Sequence, residues 1–333
     1  MSGAPVGRLE VVIPPSLDGQ RCDRALALLS GRPRSAVAAL IAAGRVHVGD
    51  EVCQRAARPL RAGDLLVVEG LVDEASEVEA DPAVVVRVVR EARDYLVVDK
   101  PAGLVVHPGA GNRRGTLVGG LLARYPEIGG LREPGAGAVR PGIVHRLDKG
   151  TSGLLLVART RLGLQSLRDQ MARRAIQRTY LGAVDGAVPE ERGVIDAPIG
   201  RSPRSPLKMA VRPEGRPATT AYRVVASVVE RDATILELTL GTGRTHQIRV
   251  HLAAIGHPIV NDDRYGRVRP GTLARPFLHA ARLRFQDPET GQTVVVTSPL
   301  PADLSDWLPG VVAERLSGYV VGGDDRAVPP QEG

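Results

Sequence analysis

The chain has 333 residues, a length that suits two domains better than one, and its 43% hydrophobic and 24% charged content excludes wholesale disorder. No apolar run approaches the roughly 18–20 residues of a membrane span, and no basic stretch followed by an apolar one opens the chain, which reads as a soluble cytoplasmic protein. Two cysteines, Cys22 and Cys53, cannot build a disulfide framework or a four-ligand zinc site, and the net charge of +7 favours polyanionic partners through long-range steering and counterion release.

In chain order, the first informative stretch is strongly basic. Residues 21–61 carry eight arginines against Asp23, Asp50 and Glu51. Residues 23–30 predict a helix with Ala25, Leu26 and Leu29 on one face, closed by Gly31. Ser35 is a candidate N-cap for a second helix, in which Val37, Leu40 and Ile41 form an i, i+3, i+4 stripe that ends at Gly44. Residues 45–48 alternate as a strand, Gly49-Asp50 makes a hairpin turn into 51–53, and a second turn at 61–64 leads to a strand over 65–69. The run RCDRALA…RSAVAALIAAGRVHVGDEV…LRAGDLLVV resembles the small RNA-binding module first known from ribosomal protein S-four. That resemblance implies that Arg21, Arg32, Arg34 and Arg45 line an RNA-facing surface.

Residues 69–82 then reverse the charge, with six carboxylates and no base, and read as a linker. The expected organisation is an N-terminal segment (1–19), the small α/β RNA-binding domain (20–70), an acidic linker (71–82), a larger domain (83–315) and a disordered tail (316–333). In the larger domain, strands are expected at 84–89, 95–99, 104–107, 154–158, 180–184, 220–229, 234–240 and 293–298, and helices at 116–125, 161–173 and 245–254. Strands repeatedly follow strands, so the expected class is α+β with a mainly antiparallel sheet rather than a doubly wound parallel one.

Three motifs in this domain invite a functional reading and fail it. Residues 109–115, GAGNRRG, follow a strand as a dinucleotide loop would, but the last glycine is one residue too far and no Lys-Ser/Thr pair is present. His246, His251 and His257 are spaced by five and six residues, which scatters them around a helix, and no carboxylate or cysteine completes a metal set. Ser152 lies in Thr-Ser-Gly, without the context of a nucleophile elbow.

The segment that carries chemistry is GIVHRLDKGTSG (142–153), in which a charged cluster is wedged between apolar stretches. An aspartate there is expensive unless its charge is paired or used, and a structural ion pair of Asp148 with Arg146 or Lys149 fits the spacing as well as catalysis does. The segment GTGRTHQIRVHL (241–252) opens a helix with Thr245 as possible N-cap and Ile248, Leu252 and Ile255 turned to the core. Arg249, next to Ile248, needs a carboxylate, and Asp148, 101 residues away, is a candidate.

Together with DYLVVDKPAGLVVHP (94–108), QRTYLGAV (177–184), PLKMAV (206–211), GRTHQIRVHLAAIGHPIVNDDRYG (243–266) and FLHAARLRF (277–285), these segments resemble the RluA-type family of pseudouridine synthases from about residue 87 to 301. The resemblance implies an isomerase that converts uridine in structured RNA to its carbon-linked isomer without metal or cofactor. It makes Asp148 the catalytic carboxylate, Tyr180 the ring that stacks on the target uracil, and Arg249 the group that keeps Asp148 charged and aimed. Ile248 would wall the pocket, and Arg146 would fill the gap left by the extruded base. Lys208, Arg244, His246 and Gln247 are candidate RNA contacts. Large-subunit ribosomal RNA is the expected substrate of a monomeric enzyme. The alternatives are the same chemistry on transfer RNA, or a non-catalytic ribosome-assembly factor.

Overall fold

The computed structural model describes residues 9–30, 34–69, 78–108, 114–131, 140–203, 205, 208–269, 273–317 and 319. The chain divides into two compact units, one from Met1–Glu79 with Arg132–Arg140, the other from Ala80–Leu131 with Pro141–Gly333. Gly31, Arg32, the greater part of the acidic stretch and residues 109–113 of the glycine-rich run lie outside the described residues.

In the smaller unit, β1 (Leu9–Val12), β2 (Val46–Val48), β3 (Glu51–Val52) and β4 (Leu65–Val68) form an antiparallel sheet in the order β1-β4-β2-β3. The sheet therefore begins upstream of residue 20, where no strand is expected from the sequence. Helices α1 (Cys22–Ser30) and α2 (Arg34–Ala42) bury Cys22, Ala25, Leu26, Val37 and Ile41 against Val46, Val48, Leu66 and Val68. Helix α2 starts at Arg34, which puts Ser35 inside its first turn rather than at its cap. Cys22 and Cys53 are core residues, and burial, first of all, pushes the Cys22 thiol up to about 12, which leaves it inert.

The larger unit is built on a nine-stranded sheet. Its strands are β5 (Val88–Glu91), β6 (Tyr95–Lys100), β7 (Ser152–Ala158), β8 (Gln177–Asp185), β9 (Arg192–Asp196), β12 (Thr219–Val228), β13 (Ala233–Leu240), β14 (Leu278–Gln286) and β15 (Thr293–Thr297). They run in the order β5-β6-β7-β14-β8-β13-β12-β9, with β15 on β14. A separate hairpin pairs β10 (Ile199–Arg201) with β11 (Met209–Val211). The pairings are antiparallel except for β7 with β14, which is parallel and short. There a Cβ on Gly153 (φ 109°) would lie 2.3 Å from the Ala280 carbonyl oxygen, so only glycine admits the approach. The mixed α/β, mainly antiparallel architecture agrees with the class expected from the sequence.

Helices pack against the sheet at several points. Helix α3 is Leu117–Arg124, capped by Thr116, whose hydroxyl accepts the Gly119 N–H. In α4 (Arg161–Ala172), Thr160 plays the same part for Gly163, and Leu164 and Leu167 pack on Tyr95, Val97, Leu154 and Leu156. Strand β7 is buried along its whole length, as its unbroken apolar run requires. Helix α5 is Gln247–Ala254. Short α6 (Ala302–Ser305) and α7 (Gly310–Ser317) bring Leu304, Trp307, Leu308, Val312 and Leu316 onto Ala183, Val228 and Ile235. Packing continues past residue 315: Tyr319 Oη donates to Glu237 at 3.1 Å and accepts from Arg223 at 2.5 Å.

Several local expectations change. Residues 104–107 make no strand, only a bridge from Val105 to Thr116, because Lys100 and the turn after it hold this backbone instead. Strand β5 starts at Val88; just before it, the Arg87 carbonyl still accepts the Asp99 N–H of β6 at 2.8 Å. The cap of α5 is His246 rather than Thr245, and Ile255, beyond its last turn, is 40% exposed instead of in the core.

Candidate active site

The Asp148 loop is fastened to β7 by its own backbone and by a buried histidine. Gly142 accepts the Ala158 N–H at 2.8 Å, and His145 Nε2 accepts the Leu156 N–H at 3.0 Å. Burial drives the His145 ring down to about 3, so it stays neutral and can accept that hydrogen. Side chains then alternate: Arg146 is exposed, Leu147 buried and Asp148 partly open, which presents the charged pair and anchors the loop between them.

A second anchor is Lys100 at the end of β6. Its ammonium is buried and donates to the carbonyls of Pro101 and Leu104, both at 2.9 Å, and of Lys149 at 3.4 Å. Gly103 N–H also reaches the Lys149 carbonyl at 2.7 Å. One amine thus ties the turn after β6 to the residue that follows Asp148. Burial lowers Lys100 to about 7, with Asp148 acting in the opposite sense.

Helix α5 brings the guanidinium. Arg249 is buried, and its Nη1 donates to Asp148 Oδ2 at 3.3 Å. Its stronger partner is Asp262, met in a two-pronged contact: Nε to Oδ2 and Nη2 to Oδ1, each at 2.7 Å. The Asp262 side chain is fully buried and also accepts the N–H groups of Arg264 and Tyr265. Burial weakens the Arg249 charge, but Asp262 and Asp148 outweigh it and hold the guanidinium well above its usual range. The Tyr265 ring lies 5.2 Å from the same guanidinium. The expected Arg249–Asp148 pair is therefore present, in a larger cluster whose central carboxylate is Asp262.

Tyr180 lies on β8, buried, with Leu238 and Ala280 as its cross-strand neighbours. Burial raises its phenol, Arg178 opposes this and Asp148 adds to it, so the hydroxyl stays protonated within electrostatic reach of the carboxylate. Arg178, on the same face of β8, donates to the Thr242 carbonyl at 3.1 Å beneath the loop that leads into α5. Ile248 is buried next to Arg249.

The expected RNA contacts divide. Lys208 is exposed, with Nζ on the Arg264 carbonyl at 2.5 Å, and Arg244 Nε donates to the Pro217 carbonyl at 3.0 Å. His246 borders the Asp148 carboxylate. Gln247 is buried with its amide fully used: Oε1 accepts from Thr242 and the Arg244 N–H, while Nε2 donates to Thr219 and Thr220. It braces the start of α5 and offers RNA nothing, because every hydrogen-bonding group is already spent. In the smaller unit, Arg21 and Arg34 are exposed but both paired to Asp23, and Arg45 is exposed.

The motifs set aside have structural partners. His251 bonds Thr220 and the Ala197 carbonyl, and His257 the Asp185 carbonyl. Ser152 Oγ meets His279 Nδ1 at 2.9 Å, and His279 Nε2 meets the Ser298 carbonyl, a buried strut between strands. Among the described residues no group of three His, Cys, Asp or Glu side chains could hold a metal ion, and no helix is long and apolar enough to cross a membrane.

Sequence reasoning misses Asp262, Lys100, Tyr265 and the role of His145. A usable signal exists for Asp262: Asn261-Asp262-Asp263 follows the apolar Ile259-Val260, an arrangement that buries a carboxylate in need of a cation.

A carboxylate in the loop before β7, paired with an arginine of α5 beside a mainly antiparallel sheet, is an arrangement an RNA-modifying isomerase can use, and the comparisons place the chain in that class. The family model described as RNA pseudouridylate synthase matches residues 94–254. An uncharacterized RNA pseudouridine synthase of Chloroflexus aurantiacus is 47% identical over 88% of this chain and 90% of its own. The ribosomal large subunit pseudouridine synthase D of Nitrosomonas europaea is 40% identical over 91% and 88%. Among solved structures, human RNA pseudouridylate synthase domain containing 1 superposes with a TM-score of 0.54 at 28% identity, over 72% of this chain and 98% of that one. The chain belongs to the RluA-type family of RNA pseudouridine synthases.

Proposed function

We propose that this enzyme isomerises particular uridines of large-subunit ribosomal RNA, with Asp148 as its catalytic carboxylate. The observation that carries the chemical part is the Asp148–Arg249–Asp262 cluster. Asp262 is buried and takes the Nε and Nη2 hydrogens of Arg249, so Nη1 is left to donate to one oxygen of Asp148, while that carboxylate itself stays partly open. The ribosomal part rests on relatives named ribosomal large subunit pseudouridine synthase D at 37–42% identity over about nine-tenths of this chain.

The reaction breaks the bond from the ribose C1′ to uracil N1, turns the base and joins C1′ to C5; the C5 proton leaves and N1 regains one, so mass is unchanged. The target nucleotide must first leave its stack, at a cost of about a few kcal/mol. Arg146, exposed at the loop tip, occupies the vacated place in the RNA, and the Tyr180 ring receives the uracil. Asp148 stabilises the positive charge that develops at the ribose, Arg249 fixes its orientation, and Ile248 keeps that side of the pocket apolar. In the smaller unit, Arg21, Arg34 and Arg45, together with Arg32, gather the RNA backbone. Lys208 and Arg244 are the further candidates for phosphate contacts.

The test is to map pseudouridines in ribosomal and transfer RNA from cells that lack this gene, then restore them in vitro with purified enzyme and transcripts. Loss and restoration at large-subunit ribosomal positions is the expected result. Loss confined to transfer RNA overturns the substrate, and no loss anywhere with an inert purified enzyme overturns the activity of this chain.

A further inference from the structure

His246 is unusual in both backbone and ring. It takes a left-handed conformation (φ 57°, ψ 22°) at the start of α5, a region that non-glycine residues enter at a cost and that clusters at functional sites. Its ring is 5.6 Å from that of Tyr265 at a steep angle, and its Nδ1 is 2.8 Å from Tyr265 Oη. That phenolic oxygen already accepts the Met209 N–H at 2.9 Å. Donation of the remaining phenolic hydrogen to Nδ1 satisfies both groups, and it is the arrangement on which the inference is built. A neutral imidazole that accepts at Nδ1 carries its own hydrogen on Nε2. Nε2 faces Asp148 Oδ1 at 4.0 Å, while Arg249 donates to the other oxygen, Oδ2, at 3.3 Å.

We propose that His246 is a positioning residue for Asp148: Tyr265 locks it as the Nε2–H tautomer, which supplies one carboxylate oxygen with a donor while Arg249 supplies the other. The proposal rests on the reading of Asp148 as the catalytic carboxylate. Two donors, one per oxygen, fix the carboxylate plane, which a single guanidinium contact at 3.3 Å leaves free to turn. The 4.0 Å gap shortens to a hydrogen bond when substrate is bound, as catalytic contacts commonly do. His246 gives up no proton, so the chemistry of the isomerisation is unchanged.

The groups around the ring support a neutral imidazole. Burial disfavours its protonation; Asp148 and Asp262 favour it, while Arg249 on its own helix and Arg264 on the following loop oppose it, and the balance lies below the ordinary histidine value. The Tyr265 hydroxyl adds to this, because a hydrogen donated to Nδ1 blocks a second proton there.

Three variants test the proposal, each checked for fold by thermal melting. His246→Ala lowers kcat on the order of 10- to 100-fold with KM changed little, the range expected for one hydrogen bond to a charged group. His246→Gln places an amide N–H near the position of Nε2 and recovers most of that loss. Tyr265→Phe keeps the ring against Arg249 but releases the tautomer, so part of the neutral imidazole carries its hydrogen on Nδ1 and leaves Nε2 bare; kcat falls at neutral pH and recovers on the acid side, where both nitrogens are protonated, which shifts the kcat–pH profile to lower pH. A His246→Gln enzyme as impaired as His246→Ala, with no shift in the Tyr265→Phe profile, reduces the ring to packing and overturns the proposal. Wild-type kcat in His246→Ala also overturns it, provided Asp148→Asn is inactive; an active Asp148→Asn enzyme instead overturns the reading of Asp148 beneath it.

Discussion

Arginine and carboxylate meet in opposite ratios in the two units. In the smaller one a single buried carboxylate, Asp23, accepts from two exposed arginines, Arg21 at 3.0 Å and Arg34 at 2.6 Å. In the larger one a single buried arginine, Arg249, spans Asp262, Asp148 and the exposed Asp263. The surplus charge is what each unit turns outward. Where cations outnumber the carboxylate, the surface offers fixed guanidinium groups suited to phosphate. Where carboxylates outnumber the cation, a negative group is left facing a partly open site, oriented but not consumed by its partner. The same chemical pair, counted differently, leaves cations turned outward in one unit and a carboxylate in the other, the contrast on which the proposed roles rest.

The largest expected effect follows from removing the surplus carboxylate. Asp148→Asn lowers turnover by about 1,000-fold or more, with RNA affinity nearly unchanged, because one carboxylate adds nothing to phosphate binding. Single-turnover assays and filter binding measure the two quantities, and an affinity that falls in step with activity breaks the division of roles.

Next comes the difference between the two buried carboxylates. Asp262→Ala leaves Arg249 buried without its main partner and costs about 3–5 kcal/mol. Asp23→Ala returns Arg21 and Arg34 to water and costs about 1 kcal/mol. Urea denaturation of both variants decides, and equal costs erase the contrast.

Acid separates the units as well. His145 is held at about 3 when folded against 6.5 when free, so the unfolded chain takes up the proton first. The His145 contribution to the larger unit is complete above pH 6.5 and is lost as pH falls towards 3, by up to a few kcal/mol. Asp23 is held below 3.8, first by Arg21 and then by Arg34, so its contribution is lost only below that value. Trp307, the one tryptophan and part of the larger unit's core, reports the first window by fluorescence. A Trp307 signal flat between pH 6.5 and 4.5 in mild denaturant would sink this assignment.

The smallest effect lies in the exported cations. Arg21→Ala and Arg34→Ala each reduce the slope of log affinity against log salt by about one, with kcat unchanged. An unchanged slope removes these arginines from the RNA surface.

Much of this was legible in the residues, for identifiable reasons. The all-apolar stretch of β7, the alternation around Gly49-Asp50 and the helical patterns over 116–125 and 161–173 are local, and they gave strands and helices close to the observed ones. Strand β14, LHAARLRFQ, has no clean alternation because it is central and paired on both edges, and it went unseen. The segment 104–107 reads as a strand from its apolar content, but the Lys100 amine holds its backbone in a turn. Gln247 is a candidate RNA contact in the family resemblance; its four buried partners, which local spacing does not reveal, engage its amide within the protein.

The sequence by itself determined the class, the charge asymmetry and the two segments that carry Asp148 and Arg249, because these depend on residue type and local spacing. Tertiary structure alone decided that Asp262 anchors Arg249, that Lys100 ties down the turn beyond Asp148, and that Tyr265 meets the ring of His246. Each of the last three is a contact between groups whose strength depends on distance and burial, quantities that chain separation does not encode.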